Sequence, residues 1–177
     1  MHAWKACAVG LGIFLAGGVS SPVDAQESNF MTLSSPEFAQ GQPMPAKSAM
    51  KGDNKSPQLL LGSIPLNAKT LVLIVDDPDS PAGLWTHWLL WNIPPAAAVI
   101  AEGKVPQGAI EGKNSFGNTH YDGPVPPSGK HRYVFHAYAL DTSLEVKPGA
   151  SRDELVSAMK GHVVGTAQFY GTYSTSP

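Results

Sequence analysis

The segment that most constrains the fold of this 177-residue chain is Thr70–Val75, which reads Thr-Leu-Val-Leu-Ile-Val. The run is continuously apolar and rich in β-branched residues, and a loop with three Asp and two Pro follows it directly. A short apolar run bounded by turn residues is typical of a strand that is buried on both faces. We therefore expect Thr70–Val75 to be a buried strand of the core.

Other segments also have the pattern of strands. Thr86–Ile93 is a second strong candidate, and it ends at a Pro-Pro pair that cannot continue a strand ladder. Arg132–Leu140 alternates aromatic and small residues, and Phe30–Leu33 and Phe169–Tyr173 are shorter candidates. The chain is therefore expected to be rich in strands.

One helix is predicted near the C-terminus. Ser151 and Glu154 have the spacing of a capping box, so the helix is expected to run to about Lys160 and to end at Gly161. The 16 Pro residues argue against an all-helical bundle, because each interior Pro costs a helix about 3 kcal/mol. The predicted fold is all-β with a minor helix, either a β-sandwich or a barrel.

The first 25 residues have the layout of a secretory signal peptide. Lys5 supplies the positive charge, Ala6–Val19 is apolar, and Val23-Asp24-Ala25 places small residues before a cleavage site. An apolar run of about 14 residues is too short to span a bilayer. We expect cleavage near Ala25, export to the periplasm or the exterior, no stable membrane insertion, and a single domain over residues 26–177.

Composition argues against several classes of function. The net charge is −2 and the chain has only two Arg, so it offers no basic surface for nucleic acid. The single cysteine, Cys7, lies within the predicted signal peptide. The mature domain is therefore expected to have neither a disulfide nor a Cys-x-x-Cys metal site.

The loop after the buried strand carries the first group of candidate polar residues. Asp77 and Asp79 flank Pro78, which stiffens the exit from the sheet. These carboxylates could orient a ligand, accept a proton or bind a metal. Asp residues in such turns also commonly accept hydrogen bonds from nearby backbone N–H groups.

His87 is the second candidate. The alternation of a strand places it on the same face as Leu89 and Trp91, opposite Trp88 and Leu90. Among aromatic neighbours it could be a hydrogen-bonded core residue, or it could present its imidazole to an anionic group at the strand end.

The loop Tyr121–Tyr133 contains the third group. Its Gly-Pro and Pro-Pro steps predict a rigid, turn-rich loop that leads into a strand. Strand alternation places His131 and Tyr133 on one face and Arg132 on the other. His131 and Tyr133 are therefore expected to point together into a cavity.

These three segments, in this order, resemble the phosphatidylethanolamine-binding protein family, most closely its bacterial Raf-kinase-inhibitor-like branch. The matching motifs are Asp77-Pro-Asp-Ser-Pro81, His87 on the next strand, and Gly123-Pro followed by Gly129-Lys-His131-Arg-Tyr133. The resemblance extends from about residue 30 to residue 173. It implies a Greek-key sandwich of two antiparallel sheets with a small cavity at one end.

The resemblance also implies what the cavity binds. It would accept a small anion such as phosphate or a phosphorylated headgroup. Its residues would be Asp77 at the floor, His87 and His131 beside the anion, Tyr133 as a hydroxyl, Trp85 as a wall and Gly123 at the rim.

We weigh three functions. The first, which we prefer, is a non-catalytic binder of a small anionic or phosphorylated ligand, with no cofactor, no metal and no catalytic residue. The second is an inhibitor or regulator of a kinase or protease, for which the sequence marks no partner surface. The third is an enzyme with a metal held by Asp77, His87 and His131. The chain has neither a His-Glu-x-x-His nor a Gly-x-Ser-x-Gly motif. The oligomeric state, including a homodimer, is left open.

Overall fold

The computed structural model describes residues 31–175, which form eight strands, a short 3-10 helix over Ala46–Ser48 and one α-helix. The predicted signal peptide lies outside the described residues. The strands are β1 (Thr32–Ser34), β2 (Leu59–Gly62), β3 (Thr70–Asp77), β4 (Trp85–Ile93), β5 (Val99–Ile100), β6 (Ile110–Glu111), β7 (Lys130–Leu140) and β8 (Val163–Ser174). The helix α1 covers Arg152–Met159.

The strands form two antiparallel sheets. The smaller has the order β1-β2-β5, and the larger has the order β6-β4-β3-β7-β8. The prediction of a mostly β fold with two antiparallel sheets and one late helix is confirmed. The strands β2, β5 and β6 were not predicted, since four or fewer residues carry too little alternation to be recognised.

The central strand β3 is buried on both faces, as the sequence predicts. Leu71, Leu73 and Val75 face the other sheet and join the main core. Val72 and Ile74 face the opposite way and pack in a second apolar cluster with residues of α1. Full burial of each such side chain contributes about 1.5–3 kcal/mol, which fixes the position of this strand and of the loop that follows it.

The helix α1 begins as its capping box predicts. The Ser151 hydroxyl accepts a hydrogen bond from the Glu154 backbone N–H, and the Glu154 carboxylate accepts one from the Ser151 backbone N–H. Gly161 follows the helix with a φ of +82°, which glycine adopts without steric cost. No helix in the part of the chain that the structure describes is long and apolar enough to cross a bilayer.

A β-bulge interrupts the pairing of β3 with β4. Val75 lies opposite Trp88, but the next residue of β3, Asp76, lies opposite Thr86, so His87 is an extra residue in β4. A bulge of this kind breaks the alternation of side chains along the strand.

The bulge places His87 on the inner face of the larger sheet. The Thr86 hydroxyl donates to Asp76 Oδ1 at 2.7 Å, whereas the His87 ring packs against Tyr133, with 5.0 Å between the ring centroids. Leu89 and Trp91 pack in the cluster beneath α1. The prediction that His87 shares a face with Leu89 and Trp91 is therefore wrong, because simple alternation does not allow for the extra residue.

Candidate functional site

A cavity of about 230 Å³ opens at one end of the larger sheet. The strand β3 ends there, and its antiparallel neighbours β4 and β7 begin there. The residues that line it come from these strand ends and from the loops between them: Asp77, Ser80, Pro81, Ala82, Trp85, His87, Phe116, Val125, Pro127 and Tyr133.

Asp77, at the end of β3, is a buried carboxylate with two protein donors. Its Oδ2 lies 2.7 Å from His131 Nδ1, and its Oδ1 accepts a hydrogen bond of 2.8 Å from the Asp79 backbone N–H. The first contact ties β3 to β7, and the second closes the turn at Pro78. Asp77 is therefore held in one orientation at the floor of the cavity.

Asp79 is paired with Arg132 rather than with the cavity. The Arg132 guanidinium donates to both carboxylate oxygens, at 2.7 and 2.9 Å, and its backbone N–H donates at 2.8 Å. These hydrogen bonds from Arg132 lower the pKa of Asp79 to about 2, against the opposing effect of partial burial. The Arg132 charge is thereby neutralised outside the site.

His87 is held by the backbone of Asp122. Its Nδ1 lies 2.6 Å from the Asp122 carbonyl oxygen, and the Asp122 N–H donates to the His87 carbonyl. A carbonyl oxygen only accepts, so Nδ1 carries the proton. Burial lowers the pKa of His87 below its usual value, although the Asp122 carbonyl and the charge of Asp77 oppose the shift. His87 is therefore neutral at pH 7.

Tyr133 brings a buried hydroxyl to the cavity. Its side chain is almost fully buried, and within residues 31–175 no group forms a hydrogen bond with the hydroxyl. Burial raises the pKa of Tyr133 well above its usual value, with a smaller contribution from the charge of Asp77. The backbone of Val125 lies close enough to oppose this shift slightly but is not in hydrogen-bond geometry. The phenol thus stays protonated as an unused donor.

Aromatic rings form one wall of the cavity. Phe116 packs edge-on against Trp85 and against His87, with ring centroids 5.3 and 5.4 Å apart. Edge-to-face pairs of this kind contribute about 0.5–1.5 kcal/mol each beyond burial. The wall excludes water from one side of the His87 ring.

The Asn114–Asp122 loop behind this wall is organised around a buried amide. Asn114 Nδ2 donates to Asp122 Oδ2 at 2.8 Å, and Asn114 Oδ1 accepts from the backbone N–H groups of Phe116 and Asn118. Burial favours a raised pKa for Asp122, but hydrogen bonds from Asn118, Asn114 and Asn54 outweigh it and leave the pKa lowered. The loop therefore holds both Phe116 and the carbonyl that orients His87.

Sequence reasoning missed Asn114 and Phe116. The available signal was the turn-forming sequence Asn114-Ser-Phe-Gly117, in which an Asn side chain accepts from the N–H two residues on. That signal indicates a turn, and it carries no information about which cavity the turn borders.

The structure brings most of the predicted site residues together. Asp77, Trp85, His87 and Tyr133 line the one cavity. His131 is not among the lining residues and lies against Asp77. Gly123 also lies outside the lining, where its N–H donates to Asn54 Oδ1 at 2.7 Å.

Potential metal ligands do not converge in the described part of the chain. Within residues 31–175, no three His, Cys, Asp or Glu side chains are placed to hold an ion together. Asp77 and His87 each direct a polar atom to a protein partner, namely His131 and the Asp122 carbonyl.

The fold and the cavity define a class of protein: a small, mostly β domain with two antiparallel sheets and, at the end of the larger one, a mostly apolar pocket that contains a few polar groups. The chain belongs to the phosphatidylethanolamine-binding protein family, since the sequence description of that family matches residues 34–174.

Proteins of similar sequence and structure support this family assignment. A UPF0098 protein of Methanothermobacter thermautotrophicus is 44% identical over 148 residues, which are 81% of this chain and 98% of the relative. The crystal structure of a candidate family homologue from Chlamydia trachomatis has a TM-score of 0.80 at 43% identity, covering 84% of this chain and all of that one. Escherichia coli YbcL has a TM-score of 0.78 at 27% identity, covering 82% and 99%.

A further relative is named as a lipoprotein. A Mycobacterium tuberculosis protein, named as a candidate lipoprotein, LppC, is 38% identical over 156 residues, which are 87% of this chain and 76% of the relative.

Proposed function

We propose that this protein is an exported, non-catalytic binding protein for a small anionic or phosphorylated ligand, which occupies the cavity between Asp77, His87 and Tyr133. The observation that carries the proposal is the Tyr133 hydroxyl, a buried donor without a protein partner at the cavity wall. A buried donor of this kind costs about 1–3 kcal/mol unless something bonds to it. An oxyanion would supply the missing acceptor.

The surroundings support a small ligand of modest affinity. The cavity is about 230 Å³, and aromatic and Pro residues form much of its wall. A few charge-assisted hydrogen bonds at about 1.5–3 kcal/mol each correspond to dissociation constants between about 1 mM and 1 μM.

The test is a calorimetric titration of inorganic phosphate into the wild type and into Tyr133→Phe. Loss of one hydrogen bond to a charged ligand should weaken binding by about tenfold or more. Tyr138→Phe is the matched control, because Tyr138 lies on the opposite face of β7 beside His136. If the wild type binds neither phosphate nor methyl phosphate at millimolar concentrations, the proposal is wrong.

Export rests on the signal-peptide layout of residues 1–25, and the name of the LppC relative is consistent with it. Expression of the full chain with fractionation, followed by mass analysis of the product, tests it. The expected product lies outside the cytoplasm and begins at Gln26. An uncleaved cytoplasmic product would refute export and leave the binding proposal intact.

Inhibition of a kinase or protease remains the alternative function. The alternative would be favoured if the protein, without bound phosphate, bound a kinase or protease and inhibited it. Tyr133→Phe should then inhibit the enzyme as strongly as the wild type.

A further inference from the structure

The polar groups of the cavity have an unusual balance for an anion site. Tyr133 is a donor, but Asp77 is a carboxylate and His87 presents an acceptor. Because His87 Nδ1 is bonded to the Asp122 carbonyl, the lone pair lies on Nε2, at the other side of the ring. Among the side-chain hydrogen bonds of residues 31–175, the one that involves the His87 ring is that of Nδ1. Ser80 and Trp85 also line the cavity and carry an O–H and an N–H, so the cavity offers three side-chain donors beside these two acceptors, one of which is a carboxylate.

No Lys or Arg side chain in the cavity offsets the negative charge of Asp77. The residues that line the cavity include no Lys or Arg, and Asp77 is the one formally charged group among them. Arg132 is engaged by Asp79, and His131 Nδ1 is engaged by Asp77. An oxygen that carries only lone pairs would be repelled by Asp77 and by His87 Nε2, whereas a ligand hydroxyl would donate to either of them.

We infer, on the basis of the proposed function, that the site selects oxyanions that keep a hydroxyl. It binds inorganic phosphate and the protonated monoanion of a phosphomonoester in preference to sulfate and to phosphodiesters. In the bound state, the ligand accepts a hydrogen bond from Tyr133 and donates its own to His87 Nε2 or to Asp77.

The charges around His87 determine whether the ring could instead take the proton. Asp76 and Asp77 of β3 and Asp122 of the loop act to raise its pKa, but burial outweighs them and the pKa is lowered. From β7, Tyr133 packs on the ring as a neutral phenol, and His131 faces Asp77. Without a ligand the lowered pKa leaves the ring neutral at neutral pH, so Nε2 presents a lone pair to a ligand hydroxyl.

Four small oxyanions distinguish the effect of a ligand hydroxyl on affinity from the effect of the ligand's charge. Inorganic phosphate and methyl phosphate are compared with sulfate and dimethyl phosphate by calorimetric titration of the full mature chain at about pH 7.5. We expect sulfate and dimethyl phosphate to bind at least about tenfold more weakly than inorganic phosphate, since each lacks a donor. Equal affinities for sulfate and phosphate would overturn the inference while leaving the proposed function standing.

The pH profile of two probes gives a second test. Both phosphate and methyl phosphate change from monoanion to dianion as the pH rises, but only inorganic phosphate retains a hydroxyl afterwards. Above its second pKa of about 6, methyl phosphate should lose affinity by up to about tenfold per pH unit, and inorganic phosphate should lose distinctly less. Parallel profiles for the two probes would contradict the inference.

The residue responsible is tested with His87→Gln, whose amide can turn either a donor or an acceptor to the ligand. The ratio of phosphate to sulfate affinity should fall toward one in this variant. It should stay unchanged in His162→Gln, an exposed histidine after α1. If His87→Gln does not fold, the four probes on the wild type decide the matter. If no oxyanion binds the wild type at all, this inference and the proposed function both fail.

Discussion

Asp77 and His131 form a buried pair that joins β3 to β7, with 2.7 Å between Oδ2 and Nδ1. Both side chains are less than a tenth exposed, at 5% and 9%. The family resemblance implied Asp77 at the floor of the cavity and His131 beside the anion, but of these two residues only Asp77 lines the cavity in the structure. His131 therefore contacts the Asp77 carboxylate from outside the cavity lining.

His131→Ala should therefore cost stability as well as affinity. The variant leaves the buried Asp77 carboxylate without one of its two donors, so we expect the free energy of unfolding to fall by about 1–3 kcal/mol. Urea denaturation measures this change. His162→Ala, which breaks an exposed contact with Asp141, is the control and should change the value by less than about 1 kcal/mol. Equal effects of the two substitutions would show that the Asp77 pair does not contribute.

The ion pair between Asp79 and Arg132 should make the free energy of unfolding depend on pH in the acidic range. The pKa of Asp79 is about 2 in the folded protein against its usual 3.8, so the folded state binds fewer protons between these values. The stabilising contribution is complete above about pH 4 and is lost as the pH falls toward about 2.

Denaturation midpoints of the wild type and of Asp79→Asn, measured from neutral pH down to pH 2, test this expectation. The two curves should converge at the acid end, and high salt should narrow their separation, since the pair is partly exposed. Asp53→Asn, beside the exposed Lys55, is the control and should follow the wild type throughout. Curves for Asp79→Asn that stay parallel to the wild type would count against the pair.

Asn114→Asp should destabilise the loop that orients His87. The substitution replaces the donor to Asp122 Oδ2 with a second carboxylate, which places two negative charges within hydrogen-bond distance. The repulsion raises the folded-state pKa of the pair above the unfolded value, so stability should fall as the pH rises from about 4 to 7.

Thermal melting at pH 5 and pH 7 provides the measurement, with Asn118→Asp for comparison. Asn118 also donates to Asp122 Oδ2, at 2.9 Å, but is exposed and does not hold the Phe116 backbone. We expect a smaller loss for it. A loss for Asn114→Asp that does not depend on pH would mean that repulsion is not the cause.

Gly123→Ala should be among the more damaging small substitutions in the chain. A Cβ atom at this position would lie 1.9 Å from the Ser48 carbonyl oxygen, which belongs to the backbone and cannot rotate away. We expect a loss of about 3 kcal/mol and weaker phosphate binding, since the neighbouring Asp122 carbonyl would shift away from His87.

Gly161→Ala is the comparison for this effect, because its φ of +82° is strained for alanine but no atom lies within 4 Å of the added carbon. It should cost about 1–2 kcal/mol and leave phosphate binding unchanged. Chemical denaturation and calorimetry measure both quantities. If Gly123→Ala bound phosphate as tightly as the wild type, the proposed link from this loop to His87 would be lost.

Local patterns in the sequence were sufficient for the main framework. The apolar run at Thr70–Val75 could only be stable with both faces covered, and the capping residues Ser151 and Glu154 act within one turn of helix. These signals are local, so they can be recognised without knowing what packs against them. The short strands β2 and β5 depend on pairing with β1 and with each other, which the sequence does not express.

Local sequence patterns predicted the orientation of some cavity residues and not of others. Alternation correctly placed Tyr133 on the inner face of β7, with Phe135 in the same core. It placed His87 on the wrong face, because one unpaired residue between Thr86 and Trp88 reverses the alternation. That bulge is a property of the pairing with β3.

The residue pattern was enough to predict the strands β1, β3, β4, β7 and β8, the helix and the residue types available for binding a ligand. Tertiary structure alone decided that His87 turns inward and that its Nδ1 proton is held by Asp122, which lies 35 residues further along the chain. The reason is physical: a bulge and a hydrogen bond between distant segments are stabilised by contacts that form only when the sheet and the loop pack together.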